Sequence, residues 1–484
     1  MRDADLIELT VVRAAAALRE RVCSCSEYVE ALIARCEAAA HLNAFVSHDW
    51  EALLAAARAV DRGSGIDGPL AGVPLALKDN IDTTSLTTSG ATGSLRDFIA
   101  PRNAPVAEAL FDAGALLGAK ANMHELAFGI TGNNAVTGAS RNPYDPSMIP
   151  GGSSGGTAVA VAARMMPGGI GTDTGGSVRL PAALCGLAGF RPSAGRYPGA
   201  GIIPISHTRD TAGPIARDVA DIRLLDAVMA GTGDDEPMPV PEPRGLRLGV
   251  PRAAFYRDLE TEVAAEADRV LDLLSDLGVE LIEVDIPDVS ELNAAVGFPI
   301  ALFEFVRDLP RYLAENGIEL SMNDVLEGIG SPDVRDIVGS QLGPEAMPEA
   351  AYRKALDVDR PRLQRTYASY FAGQDVEAVI FPTAPVSARP VGDDVTVDLN
   401  GERVPTFPTF IRNTDPGSNA GIPGISLPTG LTAAGLPIGM ELDGPARSDA
   451  RLVAVAATIE RAVGFDARPD LSRPGSDPLR RNTI

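Results

Sequence analysis

Histidine, lysine and cysteine are scarce in this chain of 484 residues, which holds four His, four Cys and three Lys, at positions 78, 120 and 354, beside 39 Arg. Cys23, Cys25, Cys36 and Cys185 are too few to staple a chain of this length, and a C-x-C spacing is not that of a zinc ribbon. They read as reduced structural thiols. No Cys/His or acidic cluster has metal-ligand spacing, so neither a metal nor another cofactor is expected. Clustered basic charge is missing too: Asp and Glu total 65 against 42 Lys and Arg, a formal charge of −23. A phosphate backbone or an anionic bilayer requires clustered Lys and Arg, so nucleic acid and membrane are not expected partners. Long apolar runs are also lacking, since none approaches the roughly 18 residues of a spanning helix. The opening MRDADLIELT carries acids where a signal peptide has a basic stretch. The expectation is a soluble, cytoplasmic protein; its oligomeric state is open, a homodimer included.

What the chain does have is 45% hydrophobic residues, enough for an extensive core, and a length that by itself suggests two to four domains. The first 60 residues read as helical, with Thr10, Ser24 and Asp49 as N-caps and Glu27 completing a capping box with Ser24. From residue 70, short apolar runs such as GVPLALK and GALLGAK alternate with helical segments and Gly-rich turns, the pattern of an α/β protein. GTGDDEPMPVPEPRG at 231–245 is a Pro-rich connection. Beyond it, a strand at 246–250, a helix with Val263, Val270, Leu271, Leu274 and Leu277 on one face, and a strand at 280–286 form a βαβ unit. Residues 287–375 read as mainly helical, 376–382 as a buried strand, and 425–444 as two strands. Strands on both sides of the connection share one character. One large α/β/α domain over 1–484, with a central mixed, twisted sheet, is therefore expected, comprising a helical region at 1–62, a core at 70–230 and the rest of the layer at 245–484.

The chemistry concentrates in two Gly-rich clusters. GGSSGG at 151–156 is not a phosphate-binding loop, because Thr157 follows without a lysine. It contains G-x-S-x-G twice, on Ser153 and Ser154, but RNPYDPSMIP precedes it where a nucleophile elbow has a buried strand. His207 alone follows it, after His41, His48 and His124, so a Ser-His-Asp triad is disfavoured. A base must come from elsewhere. Lys78 in GVPLALKDN is the candidate, since burial can strip an ammonium of its proton whereas a guanidinium stays charged. A surface lysine at a strand end is the competing reading. In GTDTGGSVRLP at 171–181, Gly175 and Gly176 precede Ser177, and bare backbone there lets N–H groups converge as an oxyanion hole requires. A tight turn capping the next helix is the alternative.

Together, Lys78 in PLALKDN, GGSSGG at 151–156 and GTDTGGSVRLPAALCGLAGFRPSAGR at 171–196 resemble the amidase signature family of serine hydrolases. LNAFV, AKANMHELAFG, GPIAR and PGISLPTGLTAAGLPIGMEL extend the likeness over most of the chain. The resemblance implies that Ser177 is the nucleophile, Ser153 a bridging serine preceded by a cis peptide bond, and Lys78 the terminal base. It also implies an oxyanion hole from the backbone N–H groups of Thr174, Gly175, Gly176 and Ser177. Asp173 and Arg179 then read as a structural pair, Ser154 as support for Ser153, and His124 and His207 as structural histidines. The segments at 206–217 and 406–428 look most like the mandelamide and indoleacetamide hydrolase branch, although Thr208-Arg209-Asp210 stands where much of the family has a Ser-Leu-Asp type sequence. The expected activity is hydrolysis of a small-molecule primary amide with an aryl or apolar acyl group; carbamate, anilide or ester hydrolysis and an amidotransferase A-type subunit are the alternatives. An apolar pocket should draw on 124–132, 200–209, 301–312 and 406–419, with Phe128, Ile203, Phe303 and Phe305 as candidates.

Overall fold

The computed structural model describes residues 3–63, 67–232 and 238–470. Part of the Pro-rich connection, at 233–237, and residues 64–66 lie outside the described residues, as do residues 1–2 at the start of MRDADLIELT and residues 471–484 of the expected domain. The N-terminal helices begin where the caps predict. Ser24 and Glu27 form a capping box at Cys25–Ala38, and Asp49 accepts a hydrogen bond from Ala52 N at the start of Trp50–Asp61. Thr10 precedes Val11–Arg19 without a side-chain cap bond.

In chain order the strands are β1 (Phe45–Ser47), β2 (Pro74–Lys78), β3 (Leu116–Ala121), β4 (Gly168–Asp173), β5 (Ala188–Arg191), β6 (Thr211–Ala216), β7 (Arg247–Gly249), β8 (Glu280–Ile282), β9 (Ala378–Pro382), β10 (Thr396–Leu399), β11 (Glu402–Pro405), β12 (Gly424–Leu431) and β13 (Pro437–Asp443). Eleven of them form one mixed sheet in the order β1-β3-β2-β4-β6-β5-β12-β13-β9-β7-β8, while β10 and β11 pair as a separate hairpin. Strands from both sides of the Pro-rich connection thus share one sheet. β2 runs parallel to β3 and β4, and β7 parallel to β8 and β9, with antiparallel pairing between these blocks.

Helices cover both faces because the strand residues alternate. Leu75 and Leu77 of β2 join a cluster with Val11, Leu110 and Leu225, whereas Ala76 packs with Val159, Ala160 and Cys36. The helix Gly155–Ala162, buried on every residue, lies on that second face. Glycines of β4 let it lie close: a Cβ at Gly169 would meet Thr157 Cγ2, and one at Gly171 would meet Ser154.

Three local expectations change. Leu277 sits past the end of Thr261–Asp276 and is 40% exposed, and the strand expected at 280–286 ends at Ile282. The short sequence runs also hide a 27-residue helix, Val289–Glu315, long and apolar enough by composition to cross a membrane. It contains Pro299 and Pro310 and buries Glu304 and Asp308 within the fold.

Candidate active site

Parallel β2 and β4 end side by side, at the carboxyl edge where open α/β sheets gather their ligands. Lys78 is the last residue of β2, and period two turns it to the face of Ala76, under the helix Gly155–Ala162. Ser153 and Ser154 stand directly before that helix, and the Gly152–Ser153 bond is cis. Lys78 is completely buried, and its Nζ lies 2.7 Å from Ser153 Oγ and 2.7 Å from Thr172 Oγ1, with Thr172 O at 3.3 Å. Burial pulls its pKa down to about 7, against the opposing pull of Asp173 and Asp210. A neutral amine there can donate two N–H bonds to Thr172 and turn its lone pair to Ser153. Thr172, itself held by Asn80 Nδ2 at 3.0 Å, is a site residue that the sequence did not announce.

Lys120 is equally buried but differently placed. It pairs with Leu77 across β2 and β3, so it lies on the opposite face from Lys78. Its Nζ donates to Ile81 O at 2.6 Å and Thr88 Oγ1 at 2.7 Å, bracing the loop after β2.

Ser177 is 8% exposed, and its carbonyl accepts a bond from Ser154 N at 3.2 Å, which ties the two Gly-rich clusters together. Among the described residues no hydrogen bond joins Ser177 Oγ to Ser153 Oγ, so the expected relay is closed at the lysine end and open at Ser177. Active-site contacts are commonly loose before substrate tightens them. Ser154 holds Thr172 rather than Ser153, through Thr172 O at 3.2 Å and Thr172 N at 3.3 Å.

The loop from Asp173 to Ser177 is fixed by side chains. Arg191 donates to Asp173 O, Arg209 Nη2 to Thr174 O at 3.2 Å and Thr414 Oγ1 to Gly175 O at 2.6 Å, while Thr174 Oγ1 donates to Asp210 at 2.6 Å. Gly176 adopts φ +141°, a conformation that L side chains rarely adopt, and a Cβ there would collide with Thr414. Gly176 N–H donates to Asp173 Oδ1 at 2.8 Å, which removes it from the four expected oxyanion donors. The N–H groups of Gly175 and Ser177 reach no acceptor among the described residues.

Beneath the loop, Arg179 bonds Asp173 at 3.0 Å, Glu441 at 2.5 Å, Ser418 Oγ at 2.6 Å and Thr414 O at 3.0 Å, all out of solvent. Burial alone would raise the Asp173 pKa, but Arg179 and Arg191 hold it well below the usual carboxylate range. Removing one partner of a buried ionic network strands the other charges. Arg179→Met is therefore expected to destabilise the fold by about 3–5 kcal/mol, measured by urea denaturation; a loss below about 1 kcal/mol, the range of an exposed pair, would contradict this reading.

The histidines are engaged elsewhere. His124 bonds Asp333 at 3.1 Å, and His207 Nδ1 bonds Asp308 at 2.8 Å. The fold does bring His207, Glu304 and Asp308 within 4.8 Å of one another, a cluster that linear spacing did not foresee. Its carboxylates already accept bonds from Ser206, Thr208, His207 N and Arg311, so the cluster reads as a clasp between loop and helix. Of the four pocket candidates, Phe128, Ile203 and Phe305 share one cluster, with Phe128 edge-on to Phe305 at 4.5 Å. Phe303 departs from them: it stacks on Tyr352 at 4.1 Å with Arg307 over its ring.

The profile of the family described as Amidase matches residues 27–453. An indoleacetamide hydrolase of Rhizobium radiobacter is 51% identical over 448 residues, covering 93% of this chain and 96% of that protein. A mandelamide hydrolase of Pseudomonas putida is 41% identical over 488 residues, covering 96% and 94% respectively. Among solved structures, one described as an amidase superposes with a TM-score of 0.83 at 33% identity, over 94% of this chain and all of the other. The peptide amidase of Stenotrophomonas maltophilia gives 0.82 at 28% identity, over 96% of this chain and 99% of the other.

Proposed function

The chain belongs to the Amidase family and is a hydrolase of amide C–N bonds; from that premise we propose that it cleaves a primary amide with an aryl or apolar acyl group to acid and ammonia, through an acyl-enzyme on Ser177. The observation that carries this reading is the sealed lysine: Lys78, wholly out of solvent, 2.7 Å from Ser153 Oγ and with a pKa near neutrality. Ser177 Oγ attacks the amide carbon while its proton passes to Ser153 and that of Ser153 to Lys78. The N–H groups of Thr174, Gly175 and Ser177 hold the developing oxyanion. Collapse of the tetrahedral species, with the relay reversed, expels ammonia. Water then attacks the acyl-enzyme by the same route and frees the acid.

The acyl preference is supported by the names of the relatives. The same reading takes residues 1–484 as one amidase domain, since a single sheet draws strands from both sides of the Pro-rich connection. It places the protein in the cytoplasm, in keeping with four buried, unpaired cysteines.

Hydrolysis screened across primary arylamides, anilides, carbamates and esters, with Ser177→Ala as the blank, tests the proposal. The highest kcat/KM is expected on a primary arylamide, with one ammonia released per acid formed. A higher value on another class would reassign the leaving group.

A further inference from the structure

The oxyanion loop carries a feature that the catalytic reading does not use. Arg209, 5% exposed, gives Nη1 to Gly297 O at 2.8 Å and Nη2 both to Asp415 Oδ1 at 2.5 Å and to Thr174 O at 3.2 Å. One guanidinium thus joins the loop, the helix Val289–Glu315 and the helix Asp415–Ala420. Thr174 O and Gly175 N–H belong to the same peptide unit and, in a trans peptide, point in opposite directions. A cation on the carbonyl therefore aims that N–H away from Arg209 and draws electron density from it, which strengthens it as a donor. The arrangement has a counterpart at the preceding peptide, where Arg191 donates to Asp173 O and so backs Thr174 N–H. A second restraint keeps Arg209 in place: Arg191 Nη2 donates to Arg209 O at 2.7 Å.

We propose that Arg209, held by Asp415, is a positioning residue that orients and polarises the Thr174–Gly175 peptide so that Gly175 N–H stabilises the oxyanion. The inference rests on the Ser177 acyl-enzyme reading. It assigns a role to the arginine of Thr208-Arg209-Asp210, and it acts on the transition state rather than on substrate binding.

The test measures kcat and KM on a primary arylamide, together with the inhibition constant of an aryl trifluoromethyl ketone. That ketone takes Ser177 Oγ at its carbonyl carbon, passes the serine proton to Lys78 and leaves an alkoxide in the oxyanion hole. Arg209→Met is expected to lower kcat by about 10- to 100-fold with KM changed less than about 3-fold, and to weaken the ketone by the same factor as kcat. Arg209→Lys, which keeps a cation but not the fork, should fall between. Asp415→Asn, which leaves the bond to Thr174 O available, should lose less than about 5-fold. Loss of thermal stability with kcat and ketone affinity unchanged in Arg209→Met or Arg209→Lys would overturn the proposal. So would an Asp415→Asn loss as large as that of Arg209→Met. If Arg209→Met does not fold, Arg209→Lys decides by the same criterion, and an Asp415→Asn loss as large as that of Arg209→Lys overturns the proposal. A failure of the acyl-enzyme reading is distinguished by wild-type protein that forms no covalent ketone adduct at Ser177.

Discussion

Replacing Ser177 by alanine is expected to lower kcat on a primary arylamide by about 10^4- to 10^6-fold, because the relay then ends on no nucleophile and only binding and the oxyanion donors remain. The side chain carries no structural bond among the described residues and loses only a hydroxyl, so the variant should keep the wild-type melting temperature within about 2 °C. An activated aryl ester should leave a covalent acyl group on the wild type, located by mass spectrometry to the peptide containing Ser177, and none on the variant. Retention of turnover above one hundredth of wild type would assign the nucleophile elsewhere.

The second large effect belongs to Lys78. Arginine in its place imposes a permanent positive charge and cannot accept a proton, so Lys78→Arg is expected to lose about 10^3-fold or more at pH 7. The sign of the pH dependence follows from the buried amine. Below its pKa of about 7 the group is an ammonium that cannot take the proton of Ser153, and above it the amine is free to do so. Wild-type kcat/KM should therefore rise with pH and level off above about 7, and that limb should vanish in Lys78→Ala. Substitution of His124 or His207 should cost less than about 10-fold, since neither touches the lysine–serine pair. A well-folded Lys78→Arg with near-normal turnover would falsify the assignment of Lys78 as base.

Much of this was legible in local signals. The capping box at Ser24 and Glu27, the buried run before Lys78 and the paired glycines before Ser177 each act within a few residues, so short-range chemistry suffices to read them. Residues 287–375 were legible as mainly helical, but the single long run Val289–Glu315 was not, because its two prolines and inward-facing Glu304 and Asp308 interrupt the apolar pattern. Those acids are tolerated only because Ser206, Thr208, His207 and Tyr352 supply hydrogen bonds from distant stretches of the chain. The departure of Phe303 has the same origin: it shares a helix with Phe305, but two residues along a helix point to different sides.

The sequence by itself determined the α/β class and the two Gly-rich clusters and singled out Lys78, Ser153 and Ser177 as candidates, since residue type and local backbone freedom are properties of short segments. Only the tertiary structure decided what each group can do. It chose Lys78 over Lys120 as the partner of Ser153, because strand register puts the two amines on opposite faces of the sheet. It withdrew Gly176 N–H from the expected oxyanion donors by giving it to Asp173, and it set Arg209 and Thr414 behind the loop from segments 35 and 239 residues away along the chain. The physical reason is that hydrogen bonds and burial depend on distance in space, and only the assembled sheet brings these segments within reach of one another.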